Sequence, residues 1–171
     1  FSRQESLTFS YGGSMGQPGI TDLIPDTLSN ADPLNIRLGN PNLKPSFSQN
    51  INANYNKSIP DAQRSYSANI RFNTTQNSVS NRTEYNEITG GRITRPENIN
   101  GNWNTNASFN FNSAISRDMR FHLNANTQGG LTNSVGYVYQ SRTQETIKNR
   151  TRGARISQGL RISYRNDWLE V

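Results

Sequence analysis

Apolar and polar residues alternate along most of the chain with a period of two. The clearest run follows Ser46. Phe47, Ile51, Ala53 and Tyr55 fall on one side with Gln49 among them, and Ser48, Asn50, Asn52, Asn54 and Asn56 fall on the other. Such a period marks a β-strand with one apolar and one hydrated face. Residues 5–11 repeat it through Leu7, Phe9 and Tyr11, and Gly12 and Gly13 are expected to end that strand. After a short turn at 58–62, Tyr66, Ala68, Ile70 and Phe72 begin a strand expected to continue through Val79 and Tyr85. The tripeptide Thr89-Gly90-Gly91 predicts the apex of this hairpin. The return strand, 92–113, is expected to be interrupted by Pro96, with Ile99, Trp103, Ala107, Phe109 and Phe111 set against Asn98 to Asn112 at alternate positions.

A tight turn at 116–118 predicts a further strand through Phe121, Leu123 and Ala125 to Tyr139, with a bulge or bend at Gly129-Gly130. Residues 140–152 read as a polar connection. The sixth strand carries Ala154, Ile156, Leu160, Ile162 and Tyr164, and a turn at 165–167 lets Trp168 open a seventh. Residues 14–45 are rich in Pro, Gly, Asn and Asp and form a long loop, a feature that is usually functional. Its apolar residues, among them Ile20, Leu34, Ile36 and Leu38, predict that it folds back onto the rest. No helix is expected.

Composition sharpens this picture. Hydrophobic residues make up only 31% of the 171 residues, and the mean hydropathy of -0.85 would by itself suggest disorder. The apolar residues are few but in register, as expected where one face meets lipid and the other lines a hydrated lumen. The net charge of +6 is spread along strands and loops, which argues against a nucleic-acid partner. There is no Cys, hence no disulfide framework and no thiolate metal site. Both ends fall in or beside predicted strands, as in a segment of a longer chain.

Two features favour an antiparallel transmembrane β-barrel segment, about seven strands of a larger barrel, over a soluble sandwich or solenoid. The turns near Pro60, Arg117 and Asn166 are short and the opposite connections long, the asymmetry of outer-membrane barrels. Aromatic residues gather beside the short turns at Tyr55, Tyr66, Phe111, Phe121 and Tyr164, next to Trp168, as an interfacial girdle. The expected lipid-facing set adds Ile51, Ile70, Phe72, Trp103, Phe109, Leu123, Leu160 and Ile162. Outer-membrane lipid is then the expected surrounding, residues 1–171 belong to a barrel domain, and 14–45 is its long extracellular loop.

The segment Gly39-Asn-Pro-Asn-Leu-Lys-Pro45 resembles the GNPxLKPE-like motif that leads from an outer loop into a descending strand in TonB-dependent outer-membrane receptors. The stretches Ile20-Thr-Asp-Leu, Asp32-Pro-Leu-Asn-Ile-Arg-Leu-Gly and Tyr164-Arg-Asn-Asp-Trp are similar to the Bacteroidetes branch of these barrels. Ser46 stands where the motif usually has Glu, so the loop must be anchored differently. The resemblance implies an energised uptake receptor of a Gram-negative outer membrane, whose N-terminal plug and TonB complex act through other parts of the protein.

Catalytic chemistry is poorly represented. His122 is the only His and sits at a lumen-facing position, and Asp22 with Asp26 reads as a solvated loop pair. The expected activity is uptake of a small ligand without covalent chemistry, cofactor or metal. Arg71, Arg120, His122, Arg155 and Arg161 on the hydrated face, with Arg37 and Asn40 in the long loop, are the candidate ligand-binding residues, suited to anionic or hydroxyl-rich solutes. The alternatives are a β-rich surface adhesin or carbohydrate-binding module, and a passive porin-like channel.

Overall fold

The computed structural model describes residues 4–25, 32–86, 88–140, 142–143, 145–166 and 169–170. Asp26, Leu28 and Trp168 lie outside them. The strands are β1 (Glu5–Gly16), β2 (Asn35–Arg37), β3 (Ser46–Ile59), β4 (Arg64–Gln76), β5 (Ser78–Asn86), β6 (Gly91–Ile99), β7 (Asn102–Ala114), β8 (Phe121–Gln140), β9 (Glu145–Asn166) and β10 (Leu169–Glu170). Seven of them form one antiparallel sheet in the order β1-β3-β4-β7-β8-β9-β10, and β2-β6-β5 form a second, smaller sheet. The seven strands expected from the alternation are those of the large sheet. Its lateral edges, β1 and β10, pair with nothing further among the described residues.

The ladder holds one phase across six strands. Phe9, Ala53, Ile70, Ala107, Gly129 and Ile156 form one transverse row, and Tyr11, Ile51, Phe72, Thr105, Leu131 and Ala154 the next. Between them on the other face runs Ser10, Asn52, Arg71, Asn106, Gly130 and Arg155. A slip of one residue anywhere would send a strand's apolar set to the wrong face, so side-chain pattern and backbone pairing fix each other. Among the described residues nothing covers the apolar face between the short turns and the row of Phe72: Phe9 is 68% exposed, Ile156 82% and Leu160 69%. The buried apolar side chains among the described residues include Leu43, Ile99 and Val135, all toward the long-loop end.

Several elements differ from the sequence expectation. β1 runs on through Gly12 and Gly13, which pair with Asn50 and Gln49. The space of their missing side chains is taken by the Asn50 amide and the Phe47 ring. Residues 20–23 form a single helical turn and Pro60–Ala62 a 3-10 turn, where no helix was expected. Gly129 and Gly130 make no bulge, since both are paired in unbroken register on each side. Gly130 is small because the Arg155 side chain passes over it, 2.9 Å from where a Cβ would stand. The polar stretch 140–152 is mostly strand: β9 begins at Glu145 and stays paired with β8 as far as Gln140.

The long hairpin is divided. β4 and β7 pair up to Thr75 with Asn102, and β5 and β6 resume in the same register at Ser78 with Ile99. Between them Asn77 takes φ +52° and Gly101 φ +116°, and the outer half leaves the large sheet. It packs on the upper part of β8 and β9: Tyr85 stacks on Tyr139 at 4.4 Å, and the Thr146 hydroxyl donates to the Thr83 carbonyl. The return strand therefore breaks at Asn100-Gly101, and Pro96 lies inside β6. Arg92 donates its N–H to Leu34 and Thr94 accepts from Leu38, so the alternate residue Pro96 has its missing donor on that same edge, beyond the end of β2. A proline is tolerated there because no ladder bond is lost.

Replacing Gly101 with Ala meets both the positive φ and Val135 Cγ2, 2.9 Å from the added Cβ. The expected cost to docking of the outer hairpin is about 1–3 kcal/mol. It would be read as faster amide exchange over residues 78–99 with exchange over 103–113 unchanged.

Candidate functional site

The hydrated face is built from short amides. Asparagine carries two donors and an acceptor on a short stem, and directly opposite positions in a sheet stand about 5 Å apart, so neighbouring amides meet. Asn69 donates to Asn52 Oδ1 at 2.8 Å and Asn54 Oδ1 at 2.6 Å, and Asn73 to Asn104 at 3.0 Å. Asn124 bonds to Asn112, and Asn126 to Asn110. Arg155 reaches across Gly130 to place Nη2 2.9 Å from Asn106 Oδ1. A shallow groove results, lined by Asn69, Asn106, Ser108, Gln128, Arg155 and Ser157. It offers fixed donors and a guanidinium to hydroxyl or anionic groups.

The candidate ligand residues fall into four places. Arg71 and Arg155 share one transverse row in the middle of this face, Arg71 between Asn52 and Asn106. Arg161 opposite Asn124 and His122 opposite Ser163 lie nearer the short turns. Arg120 is outside the strands, in the turn before β8, with Nε 3.6 Å from Asp118. The Ser116 hydroxyl and the Arg120 N–H hold the Asp118 carboxyl below its usual range. Arg37 and Asn40 belong to the long loop and are engaged within it, as described next. Among the described residues no three His, Asp or Glu side chains converge as metal ligands would.

The thirteen residues expected to face lipid all lie on the opposite face. Tyr66 stacks with Phe111 at 5.2 Å and Phe121 with Tyr164 at 4.9 Å near the short turns, while Phe72 and Trp103 pair at 6.2 Å toward the other end. Ile51 shares the row of Phe72, and Ile70 and Phe109 stand between the aromatic rows. Tyr55 donates to Glu5 at 2.7 Å, and Leu123, Leu160 and Ile162 continue the face on β8 and β9.

The segment 39–45 forms a clasp. Gly39 donates to the Ile24 carbonyl at 2.9 Å and Asn40 to that of Asp22 at 2.6 Å. A Cβ on Gly39 would lie 2.1 Å from the Ile24 oxygen, so no other residue fits. Arg37 closes the same corner on Asp22 at 3.0 Å. The loop then follows the free edge of β6. Asn40 donates its amide to the Pro96 carbonyl at 3.0 Å, and Asn98 accepts the Lys44 N–H at 2.7 Å and donates to the Lys44 carbonyl at 2.9 Å. Asn98 also donates to the Asn77 carbonyl at 2.8 Å, joining loop and break. Ser46 replaces the motif's usual Glu with a bond from its hydroxyl to the Gly16 carbonyl at 3.2 Å.

Asn77, Asn98, Asn100, Asn102 and Asn133 were not singled out by the sequence, yet they hold the junction. Asn77 N–H donates to Asn100 at 2.6 Å, Asn102 donates to Ser78 at 2.7 Å and accepts from the Val135 N–H at 2.7 Å, and Asn133 bonds to the Gly101 carbonyl. The one available signal was a change of phase: apolar positions are even up to Phe72 and odd at Val79 and Tyr85. At the top of the loop, the Asn35 amide and the Leu34 N–H hold the Asp32 carboxyl below its usual range. The stability this contributes is present above the ordinary aspartate range and is lost as pH falls through the lowered value.

A protein-family model described as an outer membrane protein beta-barrel family matches residues 1–168. No curated protein and no solved structure matches the chain.

Changing Asn98 to Ala removes the bonds to Lys44 and Asn77 together. Lys44 is exposed and can turn to water, while the half-buried Asn77 carbonyl loses its partner, so the expected cost is about 0.5–1.5 kcal/mol, seen as faster protease cleavage within residues 32–45 while pairing of β7 with β8 keeps its amide protection.

Proposed function

The chain belongs to the outer membrane protein β-barrel family, residing in the outer membrane of a Gram-negative bacterium, and from that premise we propose that it is part of a TonB-dependent receptor that takes up a hydrophilic ligand. The observation that carries the proposal is the one-sidedness of the sheet. One face is apolar, uncovered and bordered by aromatics at two levels, which fits lipid. The other is a lattice of amides with Arg71 and Arg155 at its centre, which fits a hydrated lumen that handles anionic or hydroxyl-rich solutes.

In this reading the short turns are periplasmic, and the clasped loop with the small sheet stands at the extracellular mouth. The clasp supports a receptor over an open pore because it devotes a tightly bonded corner, with a glycine that leaves no room for a side chain, to fixing the mouth of the barrel. Arg37 and Asn40 then serve ligand binding by shaping that mouth. Closure of the sheet, and contact with a plug and the TonB complex, fall to strands and segments outside the described residues.

Two measurements test the proposal. Uptake of ferric chelates, oligosaccharides or peptides by cells carrying the parent protein should stop when the TonB complex is deleted, while binding persists; uptake that continues would identify a passive channel. Arginine at Ile70 or Phe109 should cost about 2–4 kcal/mol of stability in lipid, and arginine at Asn69 or Asn110 much less. Equal losses at both pairs, measured by denaturant unfolding in bilayers, would remove the assignment of faces.

A further inference from the structure

Asparagine is used throughout this chain, yet only one Asn is followed by Gly, Asn100 before Gly101. The pair lies at the break between β6 and β7, where the outer hairpin leaves the large sheet. An asparagine amide is chemically labile when the next backbone nitrogen can reach its Cγ, because the two groups are already held together in one chain. A side chain on the following residue hinders that approach, and glycine removes the hindrance.

Three features of the junction favour the attack. Asn100 is exposed to water. The Gly101 N–H has no hydrogen-bond partner among the described residues, so no ladder bond has to break before the nitrogen can act. Asn77 donates its N–H to Asn100 Oδ1 at 2.6 Å. That donor draws electron density from Cγ and stabilises the oxyanion of the addition step, as fixed backbone donors do in acyl transfer. The departing nitrogen is held less firmly: Asn100 Nδ2 reaches Asn77 Oδ1 at 3.4 Å, a long contact.

We propose that Asn100 deamidates in the folded protein and that the product releases the outer hairpin. The Gly101 N–H gives its proton to solvent base and the nitrogen attacks Asn100 Cγ. A C–N bond forms, closing a succinimide ring, and the Cγ–Nδ2 bond breaks as the amide takes up a proton and leaves as ammonia. Water then opens the ring. Cleavage at Cγ gives aspartate, and cleavage at the backbone carbonyl gives isoaspartate, whose main chain is longer by the former side-chain methylene. Either product exchanges the amide for a carboxylate that has no N–H for Asn77 Oδ1. Isoaspartate also shifts the chain between Ile99 and Asn102, where the two halves of the hairpin are in register. Asn77 passes the change on, because its carbonyl accepts from Asn98, which holds Lys44 of the long loop. The junction is thus a chemical timer at the mouth, freeing the hairpin without cutting the chain.

The test uses the full-length parent protein in neutral detergent, held at mildly alkaline pH and sampled over days. Peptide mapping by mass spectrometry, with enzymatic methylation of isoaspartate, locates the products. Aspartate and isoaspartate should accumulate at position 100 ahead of Asn77, Asn112 and Asn133, each of which precedes Ser. Conversion should speed up as pH rises. It should run roughly two- to tenfold faster in the folded protein than in the same chain in urea, the factor expected of one well-placed hydrogen bond. The converted fraction should show faster amide exchange over residues 78–99, and N100D should show part of that change. N100Q, whose longer side chain closes a ring far less readily, should stay intact. An Asn100 that persists unchanged, or that converts no faster folded than in urea, would overturn the proposal. Complete conversion with exchange over 78–99 unaltered would overturn it as well.

Discussion

The structure depends on one constraint: a backbone crossing hydrocarbon has no water to satisfy its N–H and C=O groups, so the strands must satisfy one another. β8 illustrates it, paired without interruption to β7 through twelve positions and to β9 through its whole length. Once pairing is continuous, the alternation of side chains is forced, and one face can be given to lipid while the other is given to water. Polar side chains on the apolar face have to find partners there too, as Thr127 and Gln158 do. Such a sheet needs no dry interior. It explains how a chain with so few hydrophobic residues can still be ordered.

Asparagine does two jobs with the same chemistry. On the hydrated face its amides bond sideways to amides of adjacent strands, which stiffens the wall and leaves the remaining donors and acceptors pointed outward. At the junction the amides replace backbone. Asn98 both accepts from and donates to Lys44, as a strand neighbour would, and Asn40 supplies Pro96 with the donor that no strand provides. Where space is short, glycine complements them: Gly130 yields to Arg155, and Gly12 to Asn50. The clasp and the wall are variations on one device, a side-chain amide standing in for a peptide group.

The large sheet was legible in the sequence because its period is simple and repeated. Rows such as Tyr66 with Phe111, or Phe121 with Tyr164, follow once the strands are set in a meander. The two-sheet arrangement was harder to see. Asn77 interrupts a polar stretch that otherwise alternates, so the break left only a slip of phase between Phe72 and Val79. Pro96 looked like the interruption because a proline removes a donor, and only the edge it faces shows that none was needed. Gly12, Gly13 and Gly130 signalled ends or bends, yet their role is to admit a neighbour's side chain, which depends on cross-strand register and not on local sequence. Residues 145–152 lack an apolar face, and beyond a bilayer a strand needs none. The motif at 39–45 marked the loop's importance correctly, but the partners it grips, Ile24, Pro96 and Asn98, are remote in sequence or ordinary in type.

The pairing of β2 with β6 is parallel, and the two strands lie more than fifty residues apart in the chain, as Ile36 and Ile93 do. The antiparallel hairpins can form from adjacent segments, but β2 has no edge to join until β5 and β6 exist and have turned away at Asn77 and Gly101. Contacts between distant segments carry a larger loop-closure cost and form late. The order of assembly is thus written into the connectivity: the wall zips first, strand by strand, and the loop that shapes the mouth locks last, onto a finished hairpin.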